Sequence, residues 1–220
     1  MLGHEIPETP PEILFDDGFV LVCVKPAGVL STDEPGGLPA ILRDRLGDAG
    51  AELRTVHRLD RAAGGLMIMA RSAETASLLS RQIREGGFEK DYLAVVHGNT
   101  PDEGCLRDLM FRDRARKMSF VVDKPARGVQ EAELFFRTIW RYGELSALRI
   151  RLITGRTHQI RVQFASRGWP LVGERKYCEE PDKCPLALFS CRVAFTHPVT
   201  GRRMIFEKEP PACWPWTVCE

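Results

Sequence analysis

His57-Arg58-Leu59-Asp60-Arg61-Ala62-Ala63-Gly64-Gly65-Leu66-Met67-Ile68-Met69-Ala70-Arg71-Ser72 runs from a dense polar cluster through small residues into an apolar run. Leu66–Ala70 is uninterrupted by polar residues and too short for a free-standing helix, so it reads as a buried strand. Ser72 then caps a helix with Glu74 in its first turn and Gly86-Gly87 at its end, and Ala76, Leu79 and Ile83 share one face of it. Upstream, Ile13-Leu14-Phe15 and Phe19–Val24 flank Asp16-Asp17-Gly18, the signature of a hairpin that Lys25-Pro26-Ala27-Gly28 ends. A short helix is expected over 38–46 and a loop at Ala49-Gly50. Downstream, residues 88–97 alternate as a strand. Residues 107–127 carry a net charge of +4 with weak periodicity, which predicts a loop or a loosely paired ribbon. Strands follow at 129–140 and 145–153, joined by Tyr142-Gly143-Glu144. In the second, Leu148, Ile150 and Leu152 face one side, Arg149 and Arg151 the other. Thr157 reads as the N-cap of a helix running to Gly168, strands are expected near 186–196 and 202–206, and the Pro-rich tail is not helical. Strands with a few interspersed helices predict an α+β fold with a mixed, largely antiparallel sheet and flanking helices, in a single domain over 1–220.

The 220 residues are 44% apolar and 28% charged, which is the make-up of an ordinary globular protein rather than a disordered or collagen-like one. No run approaches the length needed to cross a bilayer, and no basic-then-apolar secretory signal opens the chain, so a cytoplasmic protein without membrane partners is expected. Seven cysteines without a C-x-x-C pair fit reduced thiols. Cys178, Cys184 and Cys191 are spaced too widely for a zinc knuckle, and no metal is expected. The formal charge is +1, but residues 1–53 carry −7 and residues 54–220 carry +8. A basic body suits a polyanion such as nucleic acid, but on charge alone an ordinary solvated surface with ion pairs is the commoner reading.

Three clusters carry candidate chemistry. In the first, Asp60 lies among His57, Arg58 and Arg61, whose positive groups favour an ionised carboxylate. Such a group serves as nucleophile or electrostatic stabiliser, or as the ion pair that pins a turn. In the second, Thr154-Gly155-Arg156-Thr157-His158-Gln159-Ile160-Arg161, a strand ends and a helix opens, with Arg156 and His158 placed to meet a phosphate or carboxylate, or merely to cap the helix. In the third, Phe88-Glu89-Lys90-Asp91-Tyr92-Leu93, Tyr92 is either a stacking surface for a base or a half-buried sheet tyrosine.

Taken together these motifs resemble the RluA-type pseudouridine synthases. The resemblance rests on His57-Arg58-Leu59-Asp60 with Gly65-Leu66, on Glu89-Lys90-x-Tyr92-Leu93, and on Gly155-Arg156-Thr157-His158-Gln159-Ile160-Arg161-Val162. Val24-Lys25-Pro26-Ala27-Gly28, Pro170-Leu171-Val172-Gly173 and Phe195-Thr196-His197-Pro198-Val199-Thr200-Gly201 extend it. It runs in order from about residue 12 to residue 208.

The resemblance implies a sheet-centred α+β catalytic domain with an RNA cleft, and isomerisation of a uridine in ribosomal or transfer RNA. It implies that Asp60 is the essential carboxylate, that Tyr92 packs on the target uracil, that Arg156 pairs with the aspartate and that Arg58 helps displace the base. His57, His158, Arg112, Arg114 and Arg116 are further candidates for substrate contact. There is neither a G-x-G-x-x-G nor a Walker motif, and no cofactor is expected. With one domain and no coiled-coil pattern a monomer that binds no DNA is expected, and a start about a dozen residues before the catalytic core predicts that the N-terminal S4 module of many relatives is absent. The chain departs from the family after the aspartate, where Ala62-Ala63-Gly64 replaces the usual hydroxyl residues.

Overall fold

The structure is a computed structural model that describes residues 10–48, 50–213 and 215–216. Ala49 of the expected Ala49-Gly50 loop and Cys219 lie outside the described residues. In chain order the elements are β1 (Glu12–Asp16), β2 (Val20–Lys25), α1 (Leu38–Leu46), β3 (Arg54–Thr55), β4 (Gly64–Ala70), α2 (Ala73–Arg84), β5 (Glu89–His97), β6 (Glu103–Asp113), β7 (Met118–Val122), β8 (Val129–Tyr142), β9 (Leu145–Leu152), α3 (Gln159–Ala165), β10 (Leu188–Thr196) and β11 (Arg203–Glu207). They group into two compact units: residues up to 90 with 189–209, and residues 91–188 with 210 onward. The α+β class with mixed, largely antiparallel pairing is as expected. Among the described residues no helix is long and apolar enough to cross a membrane.

In the first unit the strand order is β1-β2-β4-β10, with β3 on β4 and β11 on β10. Only β4 and β10 run parallel; the other pairs are antiparallel. The Asp16-Asp17-Gly18 turn closes as read, because the Asp17 side chain accepts the N–H groups of Phe19 and Val20 at 3.0 and 2.9 Å. Every residue of β4 is buried, as its unbroken apolar run requires. Ser72 caps α2 by accepting the Thr75 N–H at 3.1 Å. The Ala76, Leu79 and Ile83 face of that helix then packs on Leu66, Ile68, Phe88 and Phe195. His197 explains the Phe195–Gly201 motif. Its Nδ1 accepts the N–H groups of Val199 and Thr200, and its Nε2 lies 2.9 Å from Asp17, so the β10–β11 turn is tied to the β1–β2 turn.

In the second unit β5-β9-β8-β6-β7 form an antiparallel sheet. One face is covered by α3, where Phe164 meets the Phe136 ring at 5.3 Å and Val162 packs on Met110 and Ala132. Part of the other face is covered by Val172 and Ala187 against Val95 and Ala147. Two expectations are corrected. Residues 107–127 are not a loose ribbon: β6 and β7 pair regularly from Leu109↔Val122 to Asp113↔Met118. Leu106 and Met110 are buried on one side, but Asp108 and Arg112 share that side while Leu109 and Phe111 stand on the other, so the sequence shows no clean alternation. Thr157 does not cap a helix to Gly168. The helix is Gln159–Ala165, its cap is His158 in the left-handed region at φ 56°, and the Thr157 carbonyl is taken by the Ser119 hydroxyl. Gly168, at φ 77°, allows the Trp169 N–H to return to the Phe164 carbonyl and closes the helix early.

Candidate active site

The Asp60 loop is bolted to the first unit from several sides. The Ser31 hydroxyl donates to the Leu59 carbonyl at 2.9 Å and accepts the Leu59 N–H at 3.1 Å. Gly28 N–H donates to the Arg61 carbonyl at 2.7 Å, and Arg61 Nε donates back to the Gly28 carbonyl at 2.8 Å. The Ala63 N–H closes the turn on the Asp60 carbonyl at 3.1 Å. Gly65, at φ 115°, presses its backbone on Ser190: a Cβ there would sit 2.4 Å from both the nitrogen and the oxygen of that residue. Only glycine permits that approach. Asp60 is left half-buried on a rigid turn, with Arg58 and Arg61 exposed beside it.

His57 turns inward and anchors its loop to β4. Nε2 accepts the Ile68 N–H at 3.0 Å and the ring packs on Phe88 at 5.2 Å, so the proton sits on Nδ1. Burial, with the Lys90 charge added, pushes its pKa down to about 3, which keeps it neutral.

Lys25 was not among the candidates, and the only signal was a lysine ending an apolar strand before Pro26-Ala27-Gly28. Its side chain is buried, and Nζ donates to the carbonyls of Pro26 at 2.9 Å, Val29 at 2.8 Å and Arg61 at 3.3 Å. It thus joins the Lys25–Val29 segment to the Asp60 loop. Burial pushes its pKa down to about 7, opposed by the negative charge of Asp60. In the unfolded chain the same group titrates near its ordinary value of 10.5. Between those two values the unfolded state holds the extra proton, so stability rises as pH goes from 7 toward 10 and the cost of a buried ammonium is fully present below 7. Urea unfolding at pH 6.5 and 9 should show the wild type gaining on Lys25→Met by roughly 2 kcal/mol over that interval. Parallel pH profiles for the two proteins would contradict the buried ammonium.

In the second unit Arg156 follows β9 on a loop that Gln159 organises. The Gln159 amide oxygen accepts the Arg156 N–H at 2.9 Å and the Thr154 hydroxyl at 2.8 Å, while its nitrogen donates to the Glu133 carbonyl at 3.1 Å. Arg156 Nε donates to the Glu131 carbonyl at 2.8 Å, which orients the guanidinium. His158 Nδ1 lies 2.6 Å from the Tyr177 hydroxyl, which accepts the Ser119 N–H at 2.9 Å. Below the loop, Arg161 and Glu174 form a buried bidentate pair at 2.6 and 2.7 Å, and the Arg161 guanidinium lies over Tyr177 at 5.5 Å. Burial alone would raise the Glu174 pKa, but the Arg161 hydrogen bond and charge, with N–H groups of Lys176 and Tyr177, carry it below the usual carboxylate range.

Tyr92 is buried on β5 and shares a face with its cross-strand partner Ile150. Of the expected phosphate-binding arginines, Arg114 and Arg116 are exposed at the β6–β7 turn, Arg116 lying 3.6 Å from Asp113. Arg112 is half-buried opposite Ser119, with one Nη lacking a hydrogen-bond partner among the described residues. The first unit therefore brings together Asp60, Arg58 and Lys25, while the second holds Tyr92, Arg156, His158 and the arginine turn.

Comparison with known proteins places this arrangement. The sequence profile described as RNA pseudouridylate synthase matches residues 19–166. An uncharacterized RNA pseudouridine synthase of Aquifex aeolicus is 32% identical over 224 residues, which is 92% of this chain and 70% of that protein. The ribosomal large subunit pseudouridine synthase D of Nitrosomonas europaea is 29% identical over 228 residues, covering 95% of this chain and 64% of its own. In fold, human RNA pseudouridylate synthase domain containing 1 superposes with a TM-score of 0.76 at 20% identity, over 91% of this chain and 84% of the other. The class so defined is an isomerase that forms pseudouridine in RNA. The chain belongs to the RNA pseudouridylate synthase family, and within it to the RluA-type enzymes.

Proposed function

We propose that this chain isomerises a specific uridine in structured RNA, ribosomal RNA foremost and transfer RNA as the second possibility, with Asp60 as the catalytic carboxylate. The observation that carries the reading is the bracing of the Asp60 turn by Ser31, Gly28, Arg61 and Lys25, a degree of fixation that a mere surface turn does not need. The chain works as one catalytic domain, monomeric and cytoplasmic, on a nucleotide taken out of its stack at a cost of a few kcal/mol. Arg58, exposed beside Asp60, occupies the vacated stack, and Tyr92 packs on the extruded uracil. The C1′–N1 bond breaks and a C1′–C5 bond forms; C5 gives up a proton and N1 takes one, so no atom or electron is gained or lost. Asp60 acts on the ribose side of that exchange, and Arg156 holds its charge in place. Arg112, Arg114 and Arg116 hold phosphates, with His158 as a further contact to the RNA. Ribosomal RNA is favoured because synthase D of Nitrosomonas europaea carries that substrate in its name.

A pseudouridine map of total RNA from a strain lacking the gene tests the reading: one or a few large-subunit positions should vanish and return with the wild-type chain. An unchanged map would remove it. Arg156→Ala should lower turnover at saturating RNA by about 100-fold, with partial recovery in Arg156→Lys. Wild-type turnover in Arg156→Ala would remove that residue from the site.

A further inference from the structure

The face of the second unit's sheet opposite Tyr92 carries a groove of about 560 Å³ that the active-site reading leaves unused. Asp91 and Tyr92 are neighbours on β5 and point to opposite sides. Asp91 is buried, with its side chain 5% exposed, and holds two guanidinium groups: Arg151 at 2.9 Å and Arg149 at 3.3 Å. Arg149 remains 41% and Arg151 50% exposed, so one carboxylate fixes both arginines without covering them. Arg137 on β8 is the direct cross-strand neighbour of Arg149. Like charges facing each other across a ladder are destabilising. Glu103 stands on the other side of Arg137, yet among the described residues Arg137 makes no ion pair with it. Phe135, cross-strand to Arg151 and 44% exposed, adds an aromatic surface to the same groove.

We propose that this groove binds a nucleotide of the RNA away from the target uridine. Its phosphate bridges Arg137 and Arg149, and its base stacks on Phe135. An anion between the two arginines turns their repulsion into attraction, and the aromatic ring beside them favours a nucleotide over an acidic peptide. The volume suits one nucleotide unit. The inference rests on the chain acting on RNA, and it adds a contact that sets affinity rather than chemistry.

The probe is a fluorescein-labelled 12-mer oligouridylate, with its binding followed by anisotropy from 50 to 300 mM salt. Phe135→Ala combined with Arg137→Ala should raise the dissociation constant about ten-fold and reduce the log–log salt slope by about 0.7, the share of one phosphate. Pseudouridine formation at saturating substrate RNA should not change, and circular dichroism reports whether the variant is folded. A 4-thiouridine 12-mer on the wild-type chain should crosslink within residues 130–141, a readout independent of the variants' folding. No crosslink there, or binding and slope equal to wild type, overturns the groove site. Poly-glutamate binding that depends on Arg137 while the oligouridylate does not would instead make it a site for an acidic protein segment, and also overturns the proposal. Loss of oligouridylate binding in the variant together with a wild type that forms no pseudouridine would retain the groove and remove the enzymatic reading.

Discussion

Asp60→Asn is expected to lose at least about 1,000-fold in pseudouridine formation while binding RNA within about two-fold of wild type. The substitution keeps the size and shape of the side chain. The turn it sits on is closed by the Ala63 N–H on the Asp60 carbonyl, and the braces on either side come from Ser31, Gly28 and Lys25. The loop therefore survives, and what disappears is the negative charge and the lone pair it offers. Carbodiimide treatment followed by primer extension reads the product, and gel shift reads the binding. A variant that works near the wild-type rate would exclude the carboxylate from the chemistry. Loss of binding together with activity would make Asp60 a structural element of the loop.

Glu174→Ala is expected to lower the unfolding free energy by roughly 3–5 kcal/mol. Arg161 is nearly enclosed, with its side chain 7% exposed against 0% for Glu174, so removing the carboxylate strands a buried guanidinium with no return to water. Glu174 also accepts the Lys176 N–H at 2.7 Å, which adds to the loss. The double variant Arg161→Met with Glu174→Leu should recover much of the difference, because it removes both charges and keeps the volume. Urea unfolding gives the midpoints. A Glu174→Ala midpoint equal to wild type would mean that Arg161 finds another partner, and the pair would no longer be what supports the Arg156 loop.

Much of the fold could be read in advance where local chemistry and tertiary packing agree. The Asp16-Asp17-Gly18 turn, the Ser72 cap and the buried β4 run each had a short-range signature that packing then reinforced. The reading of α3 failed because Thr157 was expected to cap on local grounds, whereas the Gln159 side chain and Ser119, from another strand, take the loop's polar groups. The β6–β7 ribbon looked loose because polar Asp108 and Arg112 share the buried face with Leu106 and Met110 while apolar Leu109 and Phe111 take the other, which erases the period of two. At the site, the motif residues were legible but not the direction in which they point: His57 faces the core and Arg58 faces water. Lys25 escaped notice because a lysine before proline carries no local sign that three carbonyls will converge on it.

The parallel register of Gly64 and Gly65 against Phe189 and Ser190 has a bearing on how the protein is made. The strand that backs the aspartate loop leaves the ribosome only after residues 91–188 of the second unit have been synthesised. During translation the first half of the chain waits with β4 unpaired along that side, and its catalytic turn acquires its seat last. A message truncated before codon 189 would yield a polypeptide holding the His57–Asp60, Lys90–Leu93 and Gly155–Val162 motifs without the strand that seats the first of them, so premature termination late in the gene should abolish activity.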